Sequence, residues 1–398
     1  NQIQFIYQQL LMALGDGLVI FCSQYWGKRQ TEPMKKISAT AMHAGLLIAI
    51  LLFALVSIFP RQAVGIFTTE ESIIREGVSY LSIIRFTYLF FAVTQILLAT
   101  LRSVEVVKIA FYLSVMTFFV NCGINYVLIY GHFGAPEMGA AGAAIGTLAA
   151  RMTELVVLII YIIKKEKQLH LSIRSYLQHD RVLSGDYFRV TAPMLVVQGL
   201  WGVNTALQTV ILGHMTAAAI AANSVASTIF MMVKSMAVGA ASTASIIIGN
   251  TIGTGDIALV KKYSGRLQRI FVVIGLVSGL LLFLIRVPIL QLYDLSASTK
   301  EMANTFLIIL SVVVIGMSYQ MPTNNGIIRG GGNAMFVVKM DLISIWGIVI
   351  PLSFVMAFVV KASPAVVVCC LNADQIFKCI PAFLESHYGN WIRKLTRE

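Results

Sequence analysis

Three ionisable residues stand in strongly apolar surroundings: Asp16 in ALGDGLV, Lys234 in MMVKSMA and Asp341 in KMDLISIW. None has an opposite charge three or four residues away, so none is paired along its own helix. A charge in such surroundings is costly, and it persists where a partner, a water-filled path or an ion compensates it. A carboxylate so placed can take up a proton or a monovalent cation, and an ammonium can hold a carboxylate until something displaces it. Asp16, flanked by Gly15 and Gly17 that permit close helix approach, is the first candidate for coupling ion movement to a conformational change. Asp341 is the second, and Lys234 would hold whichever carboxylate faces it.

Other charges find partners nearby. Arg151 and Glu154 are spaced i,i+3 and Asp374 and Lys378 i,i+4, so each pair can neutralise itself on one helix face. Arg85 lies close enough to a helix end to snorkel. Uncharged polar groups recur at comparable places in both halves: Gln95, Asn121 and Asn125 in the first, Gln198, Asn204, Tyr319, Gln320, Asn324 and Asn325 in the second. Any one amide can bond a neighbouring helix, but their recurrence points to a shared cavity. Methionine and phenylalanine walls would suit several organic cations.

The elements that must position these residues follow from composition. Hydrophobic residues make up 58% of the 398 and charged residues 12%, against about a quarter charged in soluble domains. A helix needs about 20 mostly apolar residues to cross a bilayer. Eleven such windows are present, centred near residues 15, 48, 90, 120, 150, 200, 232, 277, 313, 348 and 373. Alternating ten-residue segments of a membrane barrel are absent, so the expected fold is all-α and polytopic. The net charge of +12 reflects loop asymmetry rather than a nucleic-acid partner. Lys28, Lys35, Lys36, Arg102, Lys108, the Lys164–Arg189 stretch, Lys261, Lys262, Arg329, Lys339, Arg393 and Lys394 fall in alternate loops. The positive-inside rule puts those loops and the C-terminus in the cytoplasm.

The five cysteines show no CxxC spacing, so no metal site or disulfide framework is expected; they read as small core residues. No HExxH or GxSxG stretch supports an intramembrane enzyme. The longest polar stretch divides the chain into 1–165, a cytoplasmic linker over 166–188, and 189–398. The halves repeat at an offset of about 226 residues. SQYWGKRQTEPMKK aligns with GNTIGTGDIALVKK, placing Gly27 on Gly253; IFPRQAVGIF falls opposite LIRVPILQLY, and LRSVEVVK opposite IRGGGNAM. An even number of helices per repeat gives both copies one orientation, about an axis along the membrane normal. The helix Pro193 to Leu212 has no counterpart, so a further helix is expected upstream of residue 1.

The runs SQYWGKR, NCGINYVLIYGHFGAPEMGAAGAAIGT and IRGGGNAMFVVKMDLISIWGIVIPL resemble the multidrug and toxic compound extrusion transporters, bacterial type, over essentially the full chain. The resemblance implies twelve helices in two six-helix lobes around a cavity. It further implies a monomer in the cell membrane, without cofactor, exporting small organic cationic or amphipathic compounds by alternating access against a sodium or proton gradient. A lipid-linked precursor flippase of the same wider superfamily is the alternative, favoured by a cationic cavity. Family members often carry a coupling carboxylate on the first helix, or on the first and fourth helices of the second lobe. Here Pro193 to Leu212 has no acid, the helix Phe306 to Asn325 has none after Glu301, and Asn125 stands where some members have an acid. The usual coupling residues therefore do not carry over. Arg329 with Gly330, Gly331 and Gly332 reads as a cytoplasmic turn using positive φ, either a plain turn or one that flexes as the lobes rock, and Pro351 as a kink in the helix that follows.

Overall fold

The computed structural model describes residues 2–65, 71–177, 180–213, 215 and 217–397; the end of the IFPRQAVGIF segment, residues 66 and 67, lies outside them. The described residues form helices and short connections, with one isolated bridge between Gly332 and Ile392 and no strand among them. Among the described residues, eleven helices are long and apolar enough to cross a membrane. They are α1 (Ile3–Gly27), α2 (Thr31–Ile58), α3 (Phe86–Ser103), α4 (Lys108–Tyr130), α5 (Gly139–Lys165) and α6 (Arg181–Leu212), followed by α7 (Ala218–Thr254), α8 (Ile257–Gln291), α9 (Ala297–Ile328), α10 (Ala334–Val359) and α11 (Pro364–Tyr388). They coincide with the eleven apolar windows. In hydrocarbon only a helix satisfies every backbone N–H and C=O within its own segment, which overrides the β-propensity of the many Val and Ile residues. Side chains such as Phe111, Tyr112, Phe118 and Phe119 point outward from α4, as a lipid solvent allows.

Polar residues set the helix starts. Asp256 caps α8 by accepting from Leu259 N–H, and Ser296 caps α9 by accepting from Thr299 N–H. Asp180 accepts from Val182 and Leu183 N–H at the start of α6, so that helix begins inside the 166–188 stretch. Glu166 turns the chain after α5 by accepting from the N–H groups of Gln168, Leu169 and Leu171.

The chain divides into two compact units, one of Asn1–Leu10, Ser23–Arg29 and Phe188–Glu398, the other of Leu11–Cys22 and Gln30–Tyr187. Helix α1 contributes to both. In the larger unit α7, α8 and α9 pack on one another. One core cluster there includes Ile229, Phe306, Leu310 and Leu371; a second gathers Ile248, Phe271, Ile327 and Trp391. In the smaller unit α2 lies against α3, and α4 and α3 against α5.

Two sequence expectations need correction. All five cysteines are free, but only Cys22 is buried, while Cys122 and Cys369 are exposed; a thiol is apolar enough to face lipid as readily as a core. The interruption around Pro351 is more than a single kink. Wide π-helical turns run over Leu342–Val349 and Val355–Val359 on either side of Ile350–Phe354. Proline removes an N–H from the ladder, and π-turns are one way a helix absorbs that loss.

Candidate functional site

In the larger unit, Asp341 has a partner from another helix. Lys378 Nζ on α11 lies 2.8 Å from Asp341 Oδ1 on α10 and 2.9 Å from Asp374 Oδ2 one turn away on α11. The i,i+4 pair Asp374–Lys378 therefore forms but is not self-contained, because one ammonium serves two carboxylates. Lys378 and Asp374 are buried. Removing the ammonium from such a cluster leaves both carboxylates without the charge they share.

A file of amides leads away from this cluster. Gln375 Nε2 donates to Asp374 Oδ2 (2.8 Å), Gln320 Nε2 to Gln375 Oε1 (2.8 Å), and Asn324 Nδ2 to Gln320 Oε1 (2.9 Å). Close approach of α9 and α11 makes this possible. A Cβ added at Gly316, one turn before Gln320, would sit 2.6 Å from the Gln375 carbonyl oxygen. Asn324 itself belongs to the π-helical turn Thr323–Ile328 that follows Pro322. Tyr319, one residue before Gln320, turns elsewhere and donates to Gln268 Oε1 (2.8 Å), to which Ser386 Oγ also points.

Lys234 does not hold a carboxylate in an ion pair among the described residues. Its ammonium lies 4.9 Å from the centre of the Trp201 ring on α6, a cation–π contact that supplies part of the compensation a carboxylate would give. Asn204 is buried and accepts from Gln208 Nε2 at 3.4 Å, and Gln198 is half-buried on the same helix.

In the smaller unit, Asp16 Oδ1 lies 3.8 Å from Arg102 Nη2. Gly15 brings the helices together, since a Cβ there would touch Ala99 Cβ at 3.2 Å. Asn125 Nδ2 donates to Asn121 Oδ1 (2.9 Å), and Asn121 Nδ2 reaches Thr147 Oγ1 (3.4 Å). Arg151 pairs with Glu154 as its spacing requires and also covers the Phe91 ring. Gln95 is half-buried on α3. Asp16, Gln95, Asn121 and Asn125 thus belong to one unit and Lys234, Asp341, Gln198, Asn204, Tyr319, Gln320 and Asn324 to the other.

The glycine turn uses positive φ at fewer positions than its sequence implied. Among Gly330, Gly331 and Gly332, only Gly332 has positive φ (+99°). The other two are small because of what lies on them. A Cβ at Gly330 would meet Ser245, and one at Gly331 would sit 2.3 Å from the Trp391 ring. The C-terminal tail docks here: Arg393 N–H donates to the Gly331 carbonyl (2.8 Å), and buried Trp391 donates its indole N–H to the Ser386 carbonyl. The tail continues onto the end of α1. Gln24 accepts from Leu395 N–H (2.8 Å) and donates to the Arg393 carbonyl (3.1 Å), and Tyr25 Oη accepts from Arg397 N–H (3.2 Å). Beneath it the repeat-matched glycines meet, a Cβ on Gly27 falling 2.8 Å from Gly253 Cα. Arg329 is half-buried at the entrance to the turn, and Pro351 is exposed on α10.

Sequence reading missed the roles of Arg102, Gln375, Gln268 and the tail. Each acts on a residue far away in the chain, and only the repeated glycines hinted that two distant helix ends meet.

Comparison with known proteins places these features. Residues 1–127 and 193–355 match the MatE family profile. A Bacillus subtilis protein named as a probable multidrug resistance protein, YoeA, is 25% identical over 90% of this chain and 77% of its own length. A Thermotoga maritima protein named as a probable multidrug resistance protein, NorM, is 23% identical over 100% of this chain and 86% of its own. A crystal structure of a MATE protein in complex with MaL6 superposes with a TM-score of 0.87 at 15% identity, covering 96% of this chain and 85% of that one. That of a mutant of the Vibrio cholerae MATE transporter VcmN gives 0.85 at 15% identity over 99% and 87%.

Proposed function

The chain belongs to the MatE family of membrane transporters, and from that premise we propose that it exports small organic, cationic or amphipathic compounds by alternating access, driven by a proton or sodium gradient. The observation that carries this reading is the cluster in which Lys378 faces both Asp341 and Asp374 inside the spanning helices. With all three ionised the cluster has one surplus negative charge. A proton or a monovalent cation arriving there changes which carboxylate Lys378 holds, and so biases one conformation over another. Asp16, held by Arg102 in the smaller unit, gives a second place for the same exchange. The multidrug names of the relatives support the substrate class. The moving bodies in this reading are the lobes 1–165 and 189–398, joined by the 166–188 linker. The protein acts as a monomer in the cell membrane with its C-terminus in the cytoplasm.

The test is flux of a fluorescent organic cation into vesicles containing the complete protein, under an imposed proton or sodium gradient. Asp16→Asn should abolish gradient-driven flux, and Asp341→Asn should weaken it. Undiminished flux in both variants would remove these aspartates from the coupling. A lipid-linked precursor flippase is the second reading, favoured by Lys234, whose ammonium rests on Trp201 rather than on a carboxylate. Loss of drug flux in wild type together with headgroup-dependent lipid translocation would select it.

A further inference from the structure

The amide file between Asn324 and Asp374 has a direction, and the carboxylate sets it. An ionised carboxylate only accepts hydrogen bonds, so Gln375 must turn its NH2 toward Asp374 and its carbonyl away. That carbonyl then accepts from Gln320, whose own carbonyl accepts from Asn324. One acceptor is left over at the far end. Among the described residues Asn324 Oδ1 has no hydrogen-bond partner, in a residue only 2% exposed. Buried carbonyl oxygens are seldom left unpaired, and π-helical turns such as Thr323–Ile328 concentrate at functional sites.

We propose that Asn324 Oδ1 is an acceptor subsite for the N–H of a protonated amine, and that Gln320 and Gln375 make its polarity follow the protonation of Asp374. A proton from the gradient adds to one Asp374 oxygen and forms an O–H bond; nothing else is made or broken. The new O–H donates to Gln375 Oε1, and Gln375, Gln320 and Asn324 each turn their amide over. Asn324 then presents NH2 where it had presented C=O. An ammonium held there loses its acceptor and faces a donor, so proton entry at one end expels the cation at the other. The charged groups facing Asp374 are Lys378 on its own helix, Asp341 from α10 and Lys234 from α7; α9 contributes the uncharged Gln320. A proton landing on Asp341 leaves the file unturned, because only Asp374 touches Gln375. The choice of an amine as ligand rests on the export of organic cations proposed above, whereas the turning of the amides does not.

Two measurements on the complete protein in lipid separate these parts. Infrared difference spectra between high and low pH, with side-chain amide nitrogens of Asn and Gln isotope-labelled in turn, should show amide carbonyl bands moving with the carboxyl signal. Asp374→Asn should abolish the amide bands. Gln320→Leu should keep the carboxyl signal and lose the Asn band, with Gln320→Met as a second variant should the first fail to fold. Amide bands that ignore pH, or an Asn band unchanged when Gln320 is replaced, would overturn the relay. In vesicles under a proton gradient, Asn324→Ala should lower flux of phenethylammonium roughly tenfold relative to its N-trimethyl analogue, which has no N–H to offer. Equal losses for both probes would overturn the subsite. Flux of neither probe in wild type would refute the amine as ligand, with the infrared result still deciding the relay.

Discussion

At the scale of single residues, Lys378 and Asp180 make opposite kinds of contribution. Lys378 is buried between two carboxylates, and replacing it by Met would deprive both of the ammonium they share. The expected loss is about 3 kcal/mol or more, read as a fall in apparent unfolding temperature of the detergent-solubilised protein. Adding Asp374→Asn to Lys378→Met should recover part of it, because one uncompensated charge goes; a double variant no more stable than the single one would contradict the shared-ammonium geometry. Asp180 lies outside the spans and caps α6. Its carboxyl is held below the usual range chiefly by the Leu183 N–H, then by the Lys36 ammonium 3.2 Å away. A depressed folded pKa stabilises above the unfolded value, near pH 4, and the benefit disappears as pH falls through the folded value. Asp180→Ala should cost about 1 kcal/mol at neutral pH. Asp180→Asn keeps the cap and should cost less, and its deficit against wild type should close on acidification below about pH 4. A deficit independent of pH would show that the charge contributes nothing. The Asp374–Lys378 spacing could be read in the sequence because it is local, whereas the share taken by Asp341 comes from another helix and has no spacing to betray it.

At the scale of elements, the eleven spans were legible because each must hold about 20 apolar residues, a demand that composition alone reveals. The glycine turn was legible as a turn and not as a seat. Positive φ explains Gly332, but Gly330 and Gly331 are explained by Ser245 and Trp391, side chains from elements distant in the chain. The tail is therefore part of the fold. Trp391→Ala should cost about 3 kcal/mol and expose the turn it covers. Hydrogen exchange of the amides around residues 330–333 should then accelerate by roughly the hundredfold which that energy implies if opening is local. Gly331→Val should act in the same direction through the clash with the indole. Unchanged exchange in both variants would mean that the tail rests on the turn without holding it.

At the scale of the molecule, the charge pattern and the packing give independent readings of sidedness. In the larger unit the end of α1, the end of α7, the turn after α9 and the tail lie together, through Gly27 on Gly253, Gln24 on Leu395 and Arg393, and Trp391 on Gly331. In the smaller unit the start of α2 meets the end of α3 through Ser38 and Thr100, and the start of α6 through Thr40 with Ser184 and Lys36 with Asp180. Every one of these ends belongs to the lysine- and arginine-rich set of loops. Positive charge resists translocation across the membrane, so within each unit the side on which these ends lie should be cytoplasmic. The prediction is a labelling pattern in a variant of the complete protein whose five native cysteines are replaced. Single cysteines at Gln30, Lys167 and Lys262 should escape an impermeant maleimide in intact cells and react once the membrane is permeabilised. Cysteines at Phe133 and Ser298, exposed at the opposite helix ends, should react in intact cells. The reversed pattern would place the tail and its glycine seat outside, and with them the end of the pathway from which a cytoplasmic compound would have to enter.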